Sequence, residues 1–185
     1  GKRDPEDDSP EATALREAHH YGLRLHAYLN VLPGWNKEDP PPADIGQLYT
    51  RHRDWFMVSA GGRTMRADGF YAFLDPGLPE VRAYLARLFG EVAAKYPLDG
   101  IHLDYIRYPD EKGNYSYHPT VMGRFRRLFG CRPERGSEEW AQYRRDQVTA
   151  TVRAIAQAAR QARPGIEVSA AVIADRRRAC NEVYQ

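Results

Sequence analysis

Residues 99–109 read DGIHLDYIRYP, and the alternation in this stretch decides the fold. Successive side chains of a strand point to opposite faces. Ile101, Leu103 and Tyr105 therefore share one face, and His102, Asp104 and Ile106 the other. Residues 23–30, LRLHAYLN, repeat the pattern, with Leu23, Leu25, Ala27 and Leu29 opposed to Arg24, His26, Tyr28 and Asn30. Two strands with an apolar face for helices and a polar face for an interior predict an α/β architecture.

The flanking segments supply the helices. Ser9 is an N-cap residue and Pro10 suits the first helical position. That helix is expected to run to about Tyr21, where Gly22 ends it, and the strand at 23–29 follows. A second helix begins at Pro79–Glu80 with Val81, Tyr84, Leu85, Leu88, Phe89 and Val92 at helical spacing. It ends near 95–97, just before a strand at 100–105. A third is expected over about 138–162, carrying Val148, Val152, Ile155, Ala156 and Ala159. Arg163, Pro164 and Gly165 stop it, and residues 166–173 (IEVSAAVI) form the third strand.

Each unit is thus a helix, a short link, a strand and a long loop. The short links lead into strands, and the long segments, 31–78 and 106–137, leave them. In a (β/α)8 barrel the segments leaving the C-terminal ends of the strands build the active site. These segments, with Trp140 just past the second, hold Trp35, Trp55, Phe70, Tyr71, Phe73, Tyr108, Tyr115 and Tyr117, a richness that argues against disorder. Aromatic loops suit sugar rings, although at least half of these side chains are expected simply to pack the loops. A whole barrel needs eight strands and typically about 250 residues. The chain of 185 residues therefore reads as one incomplete domain over 1–185, a partial TIM barrel of about three βα units or a shortened α/β sheet. An isolated section of this kind is expected to show little or no activity.

Composition excludes several functions. Lys+Arg 27 against Asp+Glu 25 gives a net charge of +2, so no bulk field favours nucleic acid or an anionic membrane. The runs 124–127 (RFRR) and 176–178 (RRR) lack the interleaved aromatics of a nucleic-acid groove and read as solvated faces. Cys131 and Cys180 make neither a disulfide framework nor a zinc motif. No stretch approaches the length of a membrane span. The opening GKRDPEDDSPEA shows no signal segment; secretion or the cell envelope would nevertheless suit an activity on polysaccharide. No cofactor is expected, and the sequence leaves the oligomeric state open.

Asn30 and Asp104 are polar residues at the C-terminal ends of strands, where catalysis takes place in this architecture. Asp104 could equally pair with Arg107 or cap the turn that follows it. His102 could be an interior histidine, and Arg107 and Tyr108 could hold the loop or bind substrate hydroxyls.

Several segments resemble the glycosyl hydrolase-like 10 family of bacterial barrel proteins, distantly similar to the α-amylase superfamily. They are AHHYGLRLHAYLN (18–30), FLDPGLPEVR (73–82), DGIHLDYIRYP (99–109), WAQYRRD (140–146) and EVSAAVIAD (167–175). The resemblance implies strands three to five of eight, with Asp104 at the end of strand four. In the α-amylase superfamily the carboxylate at that point is the nucleophile, and the residue two before it is normally arginine; here that residue is His102. The expected activity is glycoside hydrolysis of a bacterial or plant polysaccharide or oligosaccharide. Asp104 is the key carboxylate, and His26, Asn30, His102, Arg107 and Tyr108 hold the substrate. Hydrolysis needs a second carboxyl group, about 5–5.5 Å away for retention or about 6.5–9.5 Å for inversion. Asp175, just past the third strand, is the first candidate on topological grounds, followed by Glu182; Asp75 is another. Two rival readings remain. One is a metal-dependent barrel hydrolase using His26, His102, Asp104 and Asp175; the other is a carbohydrate-binding or cell-envelope module that does not cleave.

Overall fold

A computed structural model describes residues 9–67, 70–109 and 115–174. Its centre is a parallel sheet of three strands in the order β1 (His26–Asn30), β4 (Gly100–Asp104), β5 (Glu167–Ala170). The register sets His26 beside Gly100 and Glu167, Tyr28 beside His102 and Ser169, and Asn30 beside Asp104. Three polar rows therefore cross one face of the sheet. Ile101 and Leu103 point the other way and are fully buried.

The buried face is covered by α3 (Pro79–Lys95) and α5 (Glu138–Ala162). Val81, Leu85, Phe89 and Ala93 of α3 join Ile155 and Ala159 of α5 and the two β4 residues in one apolar cluster. Fully burying a side chain of this size stabilises the fold by about 1.5–3 kcal/mol. The helix ends follow the capping rules read from the sequence. Ser137 Oγ accepts from Trp140 N at 3.2 Å at the start of α5. Ser9 Oγ accepts from Ala12 N at the start of α1 (Pro10–His20), and Gly22 (φ 68°) turns the chain after it.

All three strands are shorter than expected, β4 by the single residue Tyr105. β1 starts at His26 rather than Leu23, because its partner β4 starts only at Gly100. Ahead of that point Asp99 Oδ2 accepts from Leu25 N at 2.7 Å and from His19 Nε2 at 2.9 Å. The Asp99 side chain there adds to the backbone bond from Asp99 N to Leu25 O and ties α1 to the sheet. β5 closes at Ala170 rather than residue 173, although Ala171 N still donates to Leu103 O.

The long segments are folded, which the alternation did not reveal. Residues after β1 form β2 (Pro33–Trp35), antiparallel to β3 (Ala72–Phe73), with the one-turn α2 (Leu48–Arg51) between them. Leu32, Phe56, Met57 and Phe73 are buried there. Gly34 is required by this packing: a Cβ on it would lie 2.6 Å from the Phe56 ring. The segment after β4 contains an unexpected helix, α4 (Pro119–Phe129), capped by His118 and ended by Gly130 at φ 72°. Val121 and Phe125 bury its inner face, and Phe125 meets Trp140 edge-on at 5.2 Å. Trp140 itself lies in α5. Phe73, Tyr108 and Trp140 are thus core residues rather than loop aromatics.

Candidate active site

Asp104 is the last residue of β4, and the chain turns sharply after it. Tyr105 has φ 48°, a conformation costly for a bulky residue and found disproportionately at functional sites. Its N–H donates to Asp104 Oδ1 at 2.7 Å, and Arg107 Nη1 lies 3.6 Å from the same oxygen. The Tyr28 hydroxyl donates to Oδ2. Capping of the turn and pairing with Arg107 are therefore both real, and both serve a carboxylate that keeps 13% of its side chain exposed. Burial pushes the Asp104 carboxyl up. The Tyr28 hydroxyl, the Tyr105 N–H and the Arg107 and His102 charges outweigh it and hold the group below the usual aspartate value. Asp104 is an anion at neutral pH.

The neighbours divide clearly. Asn30 lies directly beside Asp104 in the register and is exposed. His102 stacks on Tyr28, with ring centroids 5.2 Å apart and 26° between planes, and its Nδ1 lies 2.9 Å from Ser169 Oγ. Arg107 also lies over the Tyr105 ring at 4.8 Å. Tyr105 in turn touches Tyr71 at 5.3 Å and the partly exposed Phe70 at 6.2 Å, so an aromatic wall begins one residue from the carboxylate.

Two expected substrate contacts fall elsewhere. His26 lies at the start of β1, four residues or roughly 13 Å down the strands from the row of Asp104. Its Nε2 is 3.7 Å from Glu167 Oε2, and Arg24 pairs with the same carboxylate. Gly100 makes room for the imidazole, since a Cβ there would lie 2.5 Å from the ring. Tyr108 is 1% exposed and faces the interior, with its hydroxyl 3.5 Å from Ser116 Oγ and the Arg144 guanidinium 4.2 Å over its ring.

Among the candidate second carboxylates, Asp75 is fully buried. Its Oδ1 accepts from Gly77 N at 2.8 Å and from Ser116 Oγ at 2.9 Å. Burial pushes its carboxyl up, against the pull of those two donors and of the His118 and Arg144 charges. It joins the turn before α3 to the loop before α4. Asp175 and Glu182 lie outside the described residues. Among the described residues no three His, Cys, Asp or Glu side chains converge as metal ligands. His26 and His102, two of the ligands of the metal reading, are engaged in different rows of the sheet. No helix among the described residues is long and apolar enough to cross a membrane.

Tyr28 is the site residue that the sequence reading missed. Its signal was present: alternation put it on the polar face, and parallel pairing of the two matching strands would have put it next to His102.

Comparison with known proteins bears on the family and the fold. The model of the glycosyl hydrolase-like 10 family matches residues 2–185. Glycosyl hydrolase DigH of Escherichia coli (strain K12) is 26% identical over 165 residues, covering 83% of this chain and 33% of that protein. Glycosyl hydrolase YngK of Bacillus subtilis (strain 168) is 26% identical over 166 residues, covering 89% of this chain and 29% of that one. The chain thus spans about a third of the length of these relatives. Among solved structures, the PgaB (BpsB) glycoside hydrolase domain from Bordetella bronchiseptica superposes with a TM-score of 0.66 at 15% identity, over 96% of this chain and 51% of that one. An α-L-fucosidase isoenzyme 2 from Paenibacillus thiaminolyticus gives 0.60 at 20% identity, over 89% of this chain and 23% of that one. At these identities the structures speak for a shared fold, whereas the family model spans nearly every residue. The chain belongs to the glycosyl hydrolase-like 10 family.

Proposed function

We propose that this chain supplies part of the active site of a (β/α)8-barrel glycoside hydrolase, with Asp104 as its key carboxylate and a poly- or oligosaccharide as its substrate. The observation that carries the reading is an anionic, partly exposed aspartate at the C-terminal end of a central parallel strand. That is the working end of a barrel. Glycosidic cleavage passes through an oxocarbenium-like transition state, which a fixed carboxylate stabilises as nucleophile or by activating water. A carboxylate held below its ordinary pKa suits either of those roles and not that of proton donor.

Asn30, His102 and Arg107 surround Asp104 and are placed to meet substrate hydroxyls. The aromatic wall of Phe70, Tyr71 and Tyr105 offers ring faces to a sugar. His26 and Tyr108 are left out of the set, one paired at the far end of the strand and the other buried. Asp75 is enclosed and has no route to a leaving-group oxygen. Asp175 remains the candidate acid, because it follows β5, the strand next to β4.

The test is hydrolysis of a panel of polysaccharides and oligosaccharides by the full-length protein and its Asp104→Asn variant. Release of reducing ends by the former and not by the latter is expected. Equal turnover by both overturns the assignment of Asp104. Glycan binding with no product from either protein means a binding module instead.

A further inference from the structure

We infer that Tyr28 is a positioning residue for Asp104, a phenol that clamps one carboxylate oxygen from the neighbouring strand and so fixes which oxygen faces the substrate. The inference rests on the reading of Asp104 as the key carboxylate. In the register Tyr28 sits opposite His102, not opposite Asp104. Two residues along a strand is about 6.6 Å. The phenol ring spans that diagonal, lying on the His102 imidazole while its hydroxyl reaches Asp104 Oδ2.

The arrangement is built from three strands. Ser169 on β5 lies 2.9 Å from His102 Nδ1, His102 on β4 supports the Tyr28 ring, and Tyr28 on β1 holds Asp104. The other oxygen, Oδ1, is taken by the Tyr105 N–H and faces Arg107. Both oxygens are thus directed, and the carboxylate has one orientation. Tyr28 is 61% exposed, so burial of its ring contributes little to the fold. What its side chain does in this structure is stack on His102 and donate a hydrogen bond to an anion. The hydrogen bond to Asp104 above all, then desolvation and the Asp104 charge, also raise the phenol's own pKa, which keeps the hydroxyl protonated as a donor.

Among the described residues, the titratable and charged groups facing Asp104 are Tyr28 from β1, His102 from β4, and Tyr105 and Arg107 from the turn. β5 presents Ser169 on this face; its Glu167 lies toward the strand's start, paired with Arg24. Removing the Tyr28 hydroxyl removes a donor that favours the anion, so the Asp104 carboxyl must titrate at higher pH.

The test is Tyr28→Phe in the full-length protein, with two readouts. One is the pH dependence of kcat and kcat/KM on a glycan that the unaltered protein hydrolyses. The other is the carboxyl 13C titration of Asp104 by NMR, its signal assigned by its loss in Asp104→Asn. Phenylalanine keeps the ring on His102, so the expected result is a folded variant with KM little changed. Its kcat falls about ten- to a hundred-fold, the size of effect of one hydrogen bond to a charged group. The acid limb of the profile and the Asp104 titration both move to higher pH. An unmoved acid limb and an unmoved titration overturn the inference.

Should the variant misfold, the unaltered protein provides a separate check. The 13Cζ signal of Tyr28 must respond over the pH range in which Asp104 titrates, and a silent signal overturns the inference without any mutation. Full activity of Asp104→Asn combined with a Tyr28-dependent titration would remove the catalytic reading and leave the coupling intact, so the two failures are separable.

Discussion

Asp104 and Asp75 are built from the same parts and held in opposite surroundings. Each has a tyrosine and an arginine close by and a neighbour with positive φ: Tyr28, Arg107 and Tyr105 in one case, Tyr108, Arg144 and Ser116 in the other. Asp104 is partly open, and direct donors more than offset its burial, so its carboxyl lies below the usual value. Asp75 is sealed, burial outweighs its donors, and its carboxyl is pushed up. The difference lies in access to water rather than in residue type. A carboxylate in a polar cluster reads as chemistry only when something can reach it.

The largest expected effect is on the open member. Asp104→Asn in the full-length protein should reduce kcat by at least about 10³-fold, as loss of a key catalytic group does. Its stability should change by only about 1 kcal/mol, because solvent reaches the site and the amide keeps an acceptor for the Tyr105 N–H. Steady-state kinetics and urea unfolding measure the two quantities. A large loss of stability with little loss of rate would make Asp104 the structural carboxylate and reverse the comparison.

Asp75→Ala should do the opposite. It strands the Ser116 hydroxyl and the Gly77 N–H in the core and leaves a void, at a cost of about 3 kcal/mol. Urea unfolding followed by circular dichroism would read this directly. Any fall in activity should track the unfolded fraction.

The pH dependence of stability sharpens the contrast, because the two carboxyls carry opposite signs. The folded pKa of Asp104 is depressed, so its contribution is present above the unfolded value and is lost as pH falls through the folded one. Asp104→Asn should therefore lose most relative to the unaltered protein near neutrality, and the gap should narrow in acid. The folded pKa of Asp75 is raised, so its contribution is full below the unfolded value and is lost as pH rises through the folded one. Asp75→Asn should compare best at neutral pH and worst in acid. Melting temperatures of the three proteins between pH 3 and pH 8, on the order of the range over which carboxyls titrate in proteins, would show slopes of opposite sign; slopes of one sign would refute the assignment.

Much of this was legible in residues 99–109 and their surroundings. Ile101 and Leu103 announced the buried face of β4, and the helix over 138–162 was readable from its apolar spacing and the Arg163–Pro164–Gly165 stop. Asp104 stood out because strand alternation and the long loops both pointed to it. Helix α4 was missed because only Val121 and Phe125 mark its inner face, while Leu128 and Phe129 are exposed beside Arg126 and Arg127 and blur the apolar spacing. The strand at residue 23 was overextended because alternation continues past the point where the partner strand begins; only the partner sets the ladder's end. Distinguishing Tyr28 from Tyr108 required depth. Both are tyrosines near strand ends, and no local pattern tells which one is buried beneath the α5 side chain of Arg144.

That distinction gives the smallest and most discriminating effect. Tyr108→Phe removes a buried hydroxyl that lies 3.5 Å from Ser116 Oγ, a separation at which a hydrogen bond is weak. The stability cost should be about 0.5–1 kcal/mol. The ring under Arg144 is retained, so the loop between β4 and α4 should keep its path. Catalytic rate and glycan affinity should then match those of the unaltered protein, in contrast to Tyr28→Phe, which changes the pH profile at little cost in stability. A folded Tyr108→Phe protein that lost glycan affinity would return Tyr108 to the substrate contacts. It would also mean that the cluster around Asp75 opens in solution, and enclosure would then no longer separate the two carboxylates.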